Sequence, residues 1–226
     1  LEIVVASGGG ADGVGEITQI TSNGVQTWAS GDNGVDLFFD IHGYVETSSL
    51  ADPGNAFDLE ALGTGGSIDF YTLPAGTFEI GTSGGIAAAR AAITGGTLWL
   101  ETDARTMPAA VCGHGAAHAP VTTTICSNTN LATGVTLGFG PLDVVGGLAE
   151  ENFDTNSRLG ALGVDISWNF SHQGAGTGPF GGTDESGTGN FLTEAVDTPE
   201  PGTLALIGLG LVAMGGGAFR RKKKLA

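Results

Sequence analysis

The chain has 226 residues, enough for one domain with appendages and a sizeable core but short for two full domains. It holds 41 glycines, and charged residues make up only 14% of it, a balance unlike that of an ordinary cytoplasmic enzyme. Five of its eight cations are Arg220, Arg221, Lys222, Lys223 and Lys224; the body keeps only Arg90, Arg105 and Arg158 against all 24 acids, a formal −21 set against +5, which excludes nucleic-acid binding.

The chain opens on Leu1 rather than methionine, with apolar Ile3, Val4 and Val5 close behind, as expected where a signal peptide has been removed. In chain order, short strands are predicted over residues 2–6, 16–21, 24–29, 35–41, 43–47, 67–72, 77–80, 97–101, 121–126, 135–139 and 164–170. Turn chemistry separates them: Asn23-Gly24, Asp32-Asn33-Gly34, Asp52-Pro53-Gly54-Asn55, the glycine cluster at 63–66 and Gly95-Gly96. Two stretches alternate clearly at period two. Val164, Ile166, Trp168 and Phe170 point one way and Asp165, Ser167 and Asn169 the other; Leu37, Phe39 and Ile41 point inward, with Asp36 and Asp40 outward and Phe38 available to a second layer. Residues 86–92 have helical propensity with few large apolar side chains, and helix or loop stays open there. Many short strands at this spacing predict an all-β body, a β-sandwich or jelly-roll-like single domain over 1–173.

From 174 to 190, seven of seventeen residues are glycine, so a glycine-rich stalk is expected over 174–197, with 191–196 either a last short strand or part of that stalk.

Candidate chemistry in the body is sparse. Cys112 and Cys126 are the only cysteines, and in an exported chain a disulfide between them is the simplest reading. The rival is a zinc or copper site from Cys112, His114, His118 and Cys126, although Gly113, Gly115 and Pro120 disfavour the helix that would align the two histidines. Asp32, Asn33 and Asp36 offer oxygen ligands to calcium but lack the spacing of a calcium hand, so a plain turn competes. Trp28, Trp99 and Trp168 could build a sugar-stacking surface, with core packing as the ordinary alternative. No GxSxG elbow, HExxH helix or phosphate loop occurs, and no residue is assigned a catalytic role.

The C-terminal segment is more specific. Pro199-Glu200-Pro201 is held extended by its two prolines. Residues 202–219 then carry no charge, and eighteen helical residues would span about 27 Å of a ~30 Å hydrocarbon core. The basic run at 220–224 follows directly, as a stop-transfer signal that stays cytoplasmic.

Tripeptide, apolar helix and terminal basic cluster, in that order, resemble a PEP-CTERM sorting domain, with Thr198 where that family often has valine. The resemblance covers 198–226. It implies recognition by an exosortase, a membrane-embedded processing enzyme of Gram-negative bacteria that make extracellular polysaccharide, and hence sorting to the envelope or exterior.

The resulting expectation is an exported, envelope-sorted, non-enzymatic structural or matrix protein, anchored transiently or permanently in the inner membrane and needing no cofactor unless it binds calcium. Two alternatives stand beside it: a carbohydrate-binding module that retains secreted polysaccharide, and a self-assembling filament or surface-layer subunit built by edge-to-edge pairing of glycine-rich strands.

Overall fold

The fold is seen in a computed structural model that describes residues 2–5, 11–51, 59–112, 122–173 and 185–193. The chain divides into two units, Leu1–Ala195 and Val196–Ala226, and every element below belongs to the first. Its strands are β1 (Glu2–Val5), β2 (Gly13–Ile17), β3 (Gln19–Ser22), β4 (Val25–Ala29), β5 (Val35–Ala51), β6 (Leu59–Pro74), β7 (Thr97–Ala104), β8 (Met107–Pro108), β9 (Thr122–Thr123), β10 (Ile125–Asn130), β11 (Val135–Gly146), β12 (Ile166–Gln173) and β13 (Glu185–Thr193). Two short helices, α1 (Ile86–Thr94) and α2 (Glu150–Phe153), interrupt them.

The all-β expectation holds, but the strands do not pair as two separate layers. Neighbours run β10-β11-β12-β13-β1-β2-β5-β6-β7, and β6 also pairs with β10, which closes the sheet on itself. Each pairing is antiparallel. The two long strands β6 and β11 make closure possible. Leu59–Gly63 of β6 lies against β10 and Ser67–Thr72 against β7, while β11 meets β10 with its first half and β7 with its second. β7 and β10 thus share one place in the ring at different heights. The sandwich gives way to a barrel-like ring, because closure satisfies backbone groups that two open layers would leave at their edges.

Alternation fills the ring. Leu37, Phe39 and Ile41 from β5, Ile68 and Phe70 from β6, Leu100 from β7, Leu142 from β11, and Ile166, Trp168 and Phe170 from β12 form one core cluster. Burying each such side chain contributes about 1.5–3 kcal/mol. At Gly43, with φ 76°, the inward alternation of β5 changes phase while its register with β6 is kept, so that Tyr44 joins the core. On β11, glycine makes room for aromatic rings across the ladder: a Cβ on Gly138 would sit 1.8 Å from the Phe170 ring, and one on Gly140 2.3 Å from Trp168 Nε1. Trp168 stacks on Phe170 with centroids 4.5 Å apart.

The open choice at 86–92 resolves as α1. The helix has no side-chain N-cap, and its packing holds it: Ala89 and Ile93 are fully buried against Val14, Phe38, Leu73 and Ile80. Phe38 meets the second layer foreseen for it, edge-on to Phe78 at 5.4 Å. Asp36 and Asp40 do point away from the interior, but they are buried rather than solvated, because this layer covers them. Arg90 of α1 donates to Asp40 at 2.7 Å and also bonds Asp12. Burial raises the Asp40 pKa, opposed by that bond to Arg90.

Three further expectations are corrected. Residues 77–79 are not a strand, and Ile80 opens a 3-10 turn (Ile80–Thr82) that buries its side chain beside α1. Strand β6 begins eight residues earlier than the predicted 67–72, through the glycine cluster at 63–66. The stalk expected over 174–197 contains β13, paired along its length with β12 and through residues 185–187 with β1. Its glycines read as linker, but the backbone ladder and Phe191 hold it: Phe191 lies 5.4 Å from Phe39 and 5.0 Å from Phe70, centroid to centroid. The rest of that stretch, 174–184 and 194–197, lies outside the described residues.

Candidate functional site

Cys112 and Cys126 are joined as a disulfide with Cα atoms 6.1 Å apart. Cys126 is at the second position of β10 and Cys112 ends a 3-10 turn, so the bond clips a loop of about fifteen residues onto the ring. Bonding removes both thiolates from the proposed Cys/His metal set. His114 and His118 lie outside the described residues.

Two of the residues proposed for calcium, Asp32 and Asp36, hold turns. The Asp32 carboxylate accepts the Ala29 amide at 2.8 Å, and Asp36 accepts the Ser30 hydroxyl at 2.6 Å and the Gly76 amide at 2.8 Å. Core packing withdraws one of the three tryptophans from any surface. Trp168 is 2% exposed within the ring, Trp28 packs across from Ile20 on the β3–β4 hairpin, and Trp99 meets Phe153 edge-on at 5.3 Å.

The structure brings together a site that the sequence reading missed. At the end of the ring where β2 finishes, β5 and β12 begin and β13 finishes, a cavity of about 340 Å³ opens. Its floor is core, with Leu37, Phe70, Leu100 and Ile166; its walls are the rings of Trp99, Phe153 and Phe191; its polar rim includes Gln19, Asn190 and Thr193. Arg158 lines it too, and none of the described lining residues is acidic. The lining thus mixes apolar and polar groups at the mouth of the ring.

One buried carboxylate organises the wall. Asp165, 1% exposed, accepts the backbone N–H groups of Val144 at 2.8 Å, Thr155 at 2.6 Å and Asn156. It thereby ties the segment after α2 to β11. Arg158 and Val164 then exchange backbone hydrogen bonds of 2.7 and 3.2 Å, which fixes where the arginine leaves the loop. The next residue, Leu159, sits at φ 55°, a left-handed conformation that costs a non-glycine residue about 1–2 kcal/mol. No sequence pattern announces this site, because its residues run from 17 to 193 and most look like ordinary core. The available signal was Arg158 itself, one of three cations in the body.

The predicted sorting residues Pro199, Glu200 and Pro201, the apolar span 202–219 and the cations Arg220, Arg221, Lys222, Lys223 and Lys224 lie outside the described residues. Among the described residues no helix is long and apolar enough to cross a membrane.

Residues 197–222 match the PEP-CTERM protein-sorting motif. The match takes in the tripeptide, the whole apolar span and the first three cations, and it marks an exported protein sorted to the cell envelope, with an exosortase as processing partner. No curated protein matches the chain, and no solved structure does.

Proposed function

We propose that this is a non-enzymatic structural or matrix protein of the outer envelope of a Gram-negative, exopolysaccharide-producing bacterium. Its β body is displayed outside the inner membrane, and the apolar helix at 202–219 anchors it until an exosortase acts. The observation that carries the reading is the sorting motif at 197–222, placed after a body that ends in a ring strand.

The non-enzymatic part draws support from where the carboxylates are spent. Asp40 is bonded to Arg90, Asp69 to His42, Asp103 to Ser67, Asp143 to Arg105, and Asp165 to three backbone amides. These acids hold the fold rather than wait as free acid-base pairs. Ring closure weighs against the filament alternative, since edge-to-edge pairing needs a long open edge. Burial of Trp168 weighs against a three-tryptophan sugar platform.

The test is the intact mass of protein from native cells, taken from membrane, surface and medium fractions with and without reduction. The expected surface or medium form lacks the residues beyond the Pro199-Glu200-Pro201 region and gains about two daltons on reduction of its disulfide. A full-length mass confined to the membrane overturns the reading. A companion strain lacking the protein should shed more of its matrix polysaccharide into the medium than the parent does, and unchanged retention would remove the matrix role.

A further inference from the structure

We propose that the cavity at the mouth of the ring is a socket for one uncharged sugar residue, the end or a branch of an extracellular polysaccharide. The Trp99 and Phe153 rings would cover its apolar face, and Gln19, Asn190 and Thr193 would meet its hydroxyls. The proposal rests on the matrix reading above for the source of that sugar.

The lining is of two kinds. Trp99 and Phe153 are only partly buried, so ring surface remains open at the cavity wall. A pyranose presents a face of C–H groups, and the electron-rich face of an aromatic ring suits them. Beside the rings stand the side-chain amides of Gln19 and Asn190, both exposed, and the hydroxyl of Thr193. Amides and hydroxyls each donate and accept, so they can serve sugar hydroxyls in either role.

Charge fixes the class further. The described lining holds no acid, and its one cation, Arg158, is already engaged within the fold. A charged ligand would give up its water and find no free counter-ion there, while a pure hydrocarbon would cover polar groups and leave them without partners. A neutral polyol with one apolar face avoids both costs.

Thr193 is the independent sign of a guest. Its Oγ1 is buried without a hydrogen-bond partner among the described residues, a condition that costs stability until something bonds the hydroxyl. The residue ends β13 in register with Ile166 of β12, so a strand ladder rather than a loop sets its position.

Size and enclosure set the number of sugars. A volume of about 340 Å³ is at the lower end of the range for small-molecule pockets. The lining comes from β2, β3, β5, β6, β7, β12 and β13 together with α2, all round this end of the ring. Such a socket takes a chain end or a branch, whereas the interior of a polymer needs an open groove.

The experiment uses the full chain in lipid nanodiscs, with empty nanodiscs as the blank. Saturation-transfer NMR follows titration with the methyl glycosides of glucose, galactose, mannose and N-acetylglucosamine, and with methyl glucuronide as the charged control. The expected result is saturable transfer to at least one of the four neutral glycosides, strongest at the C–H protons of one ring face, with methyl glucuronide binding no tighter than methyl glucoside. Thr193→Val should weaken that binding about three- to tenfold without lowering the urea midpoint, a split that a purely structural threonine would not show. Asn190→Ala, at an exposed position, should weaken it with the fold unchanged. The proposal is overturned by an absence of saturable transfer to all four, by tighter binding of the glucuronide, or by undiminished affinity in both variants. Increased shedding of polysaccharide by the strain lacking the protein, with no glycoside bound, would sink the socket and leave the matrix role standing; binding without shedding would do the reverse.

Discussion

Asp165 shows how a single side chain can carry a surface loop. A carboxylate with three backbone N–H donors and 1% exposure is stabilised where it sits, and removing it leaves those amides without an acceptor. Thr155 and Asn156 can turn to water, but Val144 is buried and cannot. Asp165→Ala should therefore cost about 3 kcal/mol and Asp165→Asn less, read as a lower urea midpoint at unchanged slope. Asp40 makes the opposite kind of statement. Its pKa is raised above 3.8 by burial, so between 3.8 and its folded value it takes a proton in the folded chain before it would in the unfolded one. Acidification through that window favours folding at this residue, and raising the pH through it costs stability. Carboxyl-carbon NMR should find Asp40 titrating above an ordinary aspartate, and Arg90→Met should push its midpoint higher still; a normal or lowered midpoint would contradict the burial argument.

Among the elements, β5 and β12 are legible from sequence because their interior residues alternate with polar ones over several positions. Even so, Asp36, Asp40, Asp165 and Ser167 are buried on the other face, where covering loops and α1 lie and where alternation says nothing of what packs outside. β13 and the first half of β6 were hidden by glycine, which sequence reasoning assigns to turns, whereas here it sits in strands whose pairing is fixed by their neighbours. The cavity was illegible for a different reason: it is assembled by ring closure from residues far apart in sequence, each unremarkable alone. The disulfide was readable from cysteine count and compartment. Closing a loop of about fifteen residues, it should contribute about 3 kcal/mol, so reduction should lower the free energy of unfolding by that much, read as a lower urea midpoint. A negligible change would mean that the 112–126 loop is already constrained in the unfolded chain.

At the scale of the whole molecule, the ring depends on β13, which joins β12 to β1. A chain ending at residue 195 should unfold in one cooperative transition, because every described element is retained. One ending at residue 173 breaks the ring between β12 and β1 and strips Phe191 from the core, so it should lose cooperative unfolding and bind hydrophobic dyes. Equal behaviour of the two truncations would restore the long-stalk reading of 174–197.

The pairing of β1 with β13 also bears on export. The first and last strands of the body are hydrogen-bonded neighbours, so the ring has its longest-range contact at its seam. Whichever end of the chain crosses the membrane first must wait for the other before the seam can zip. A body carried across as an open chain would therefore complete its fold only on the far side, once residue 193 has cleared. Export and folding then finish together, a few residues before the sorting motif at 197 reaches the same point.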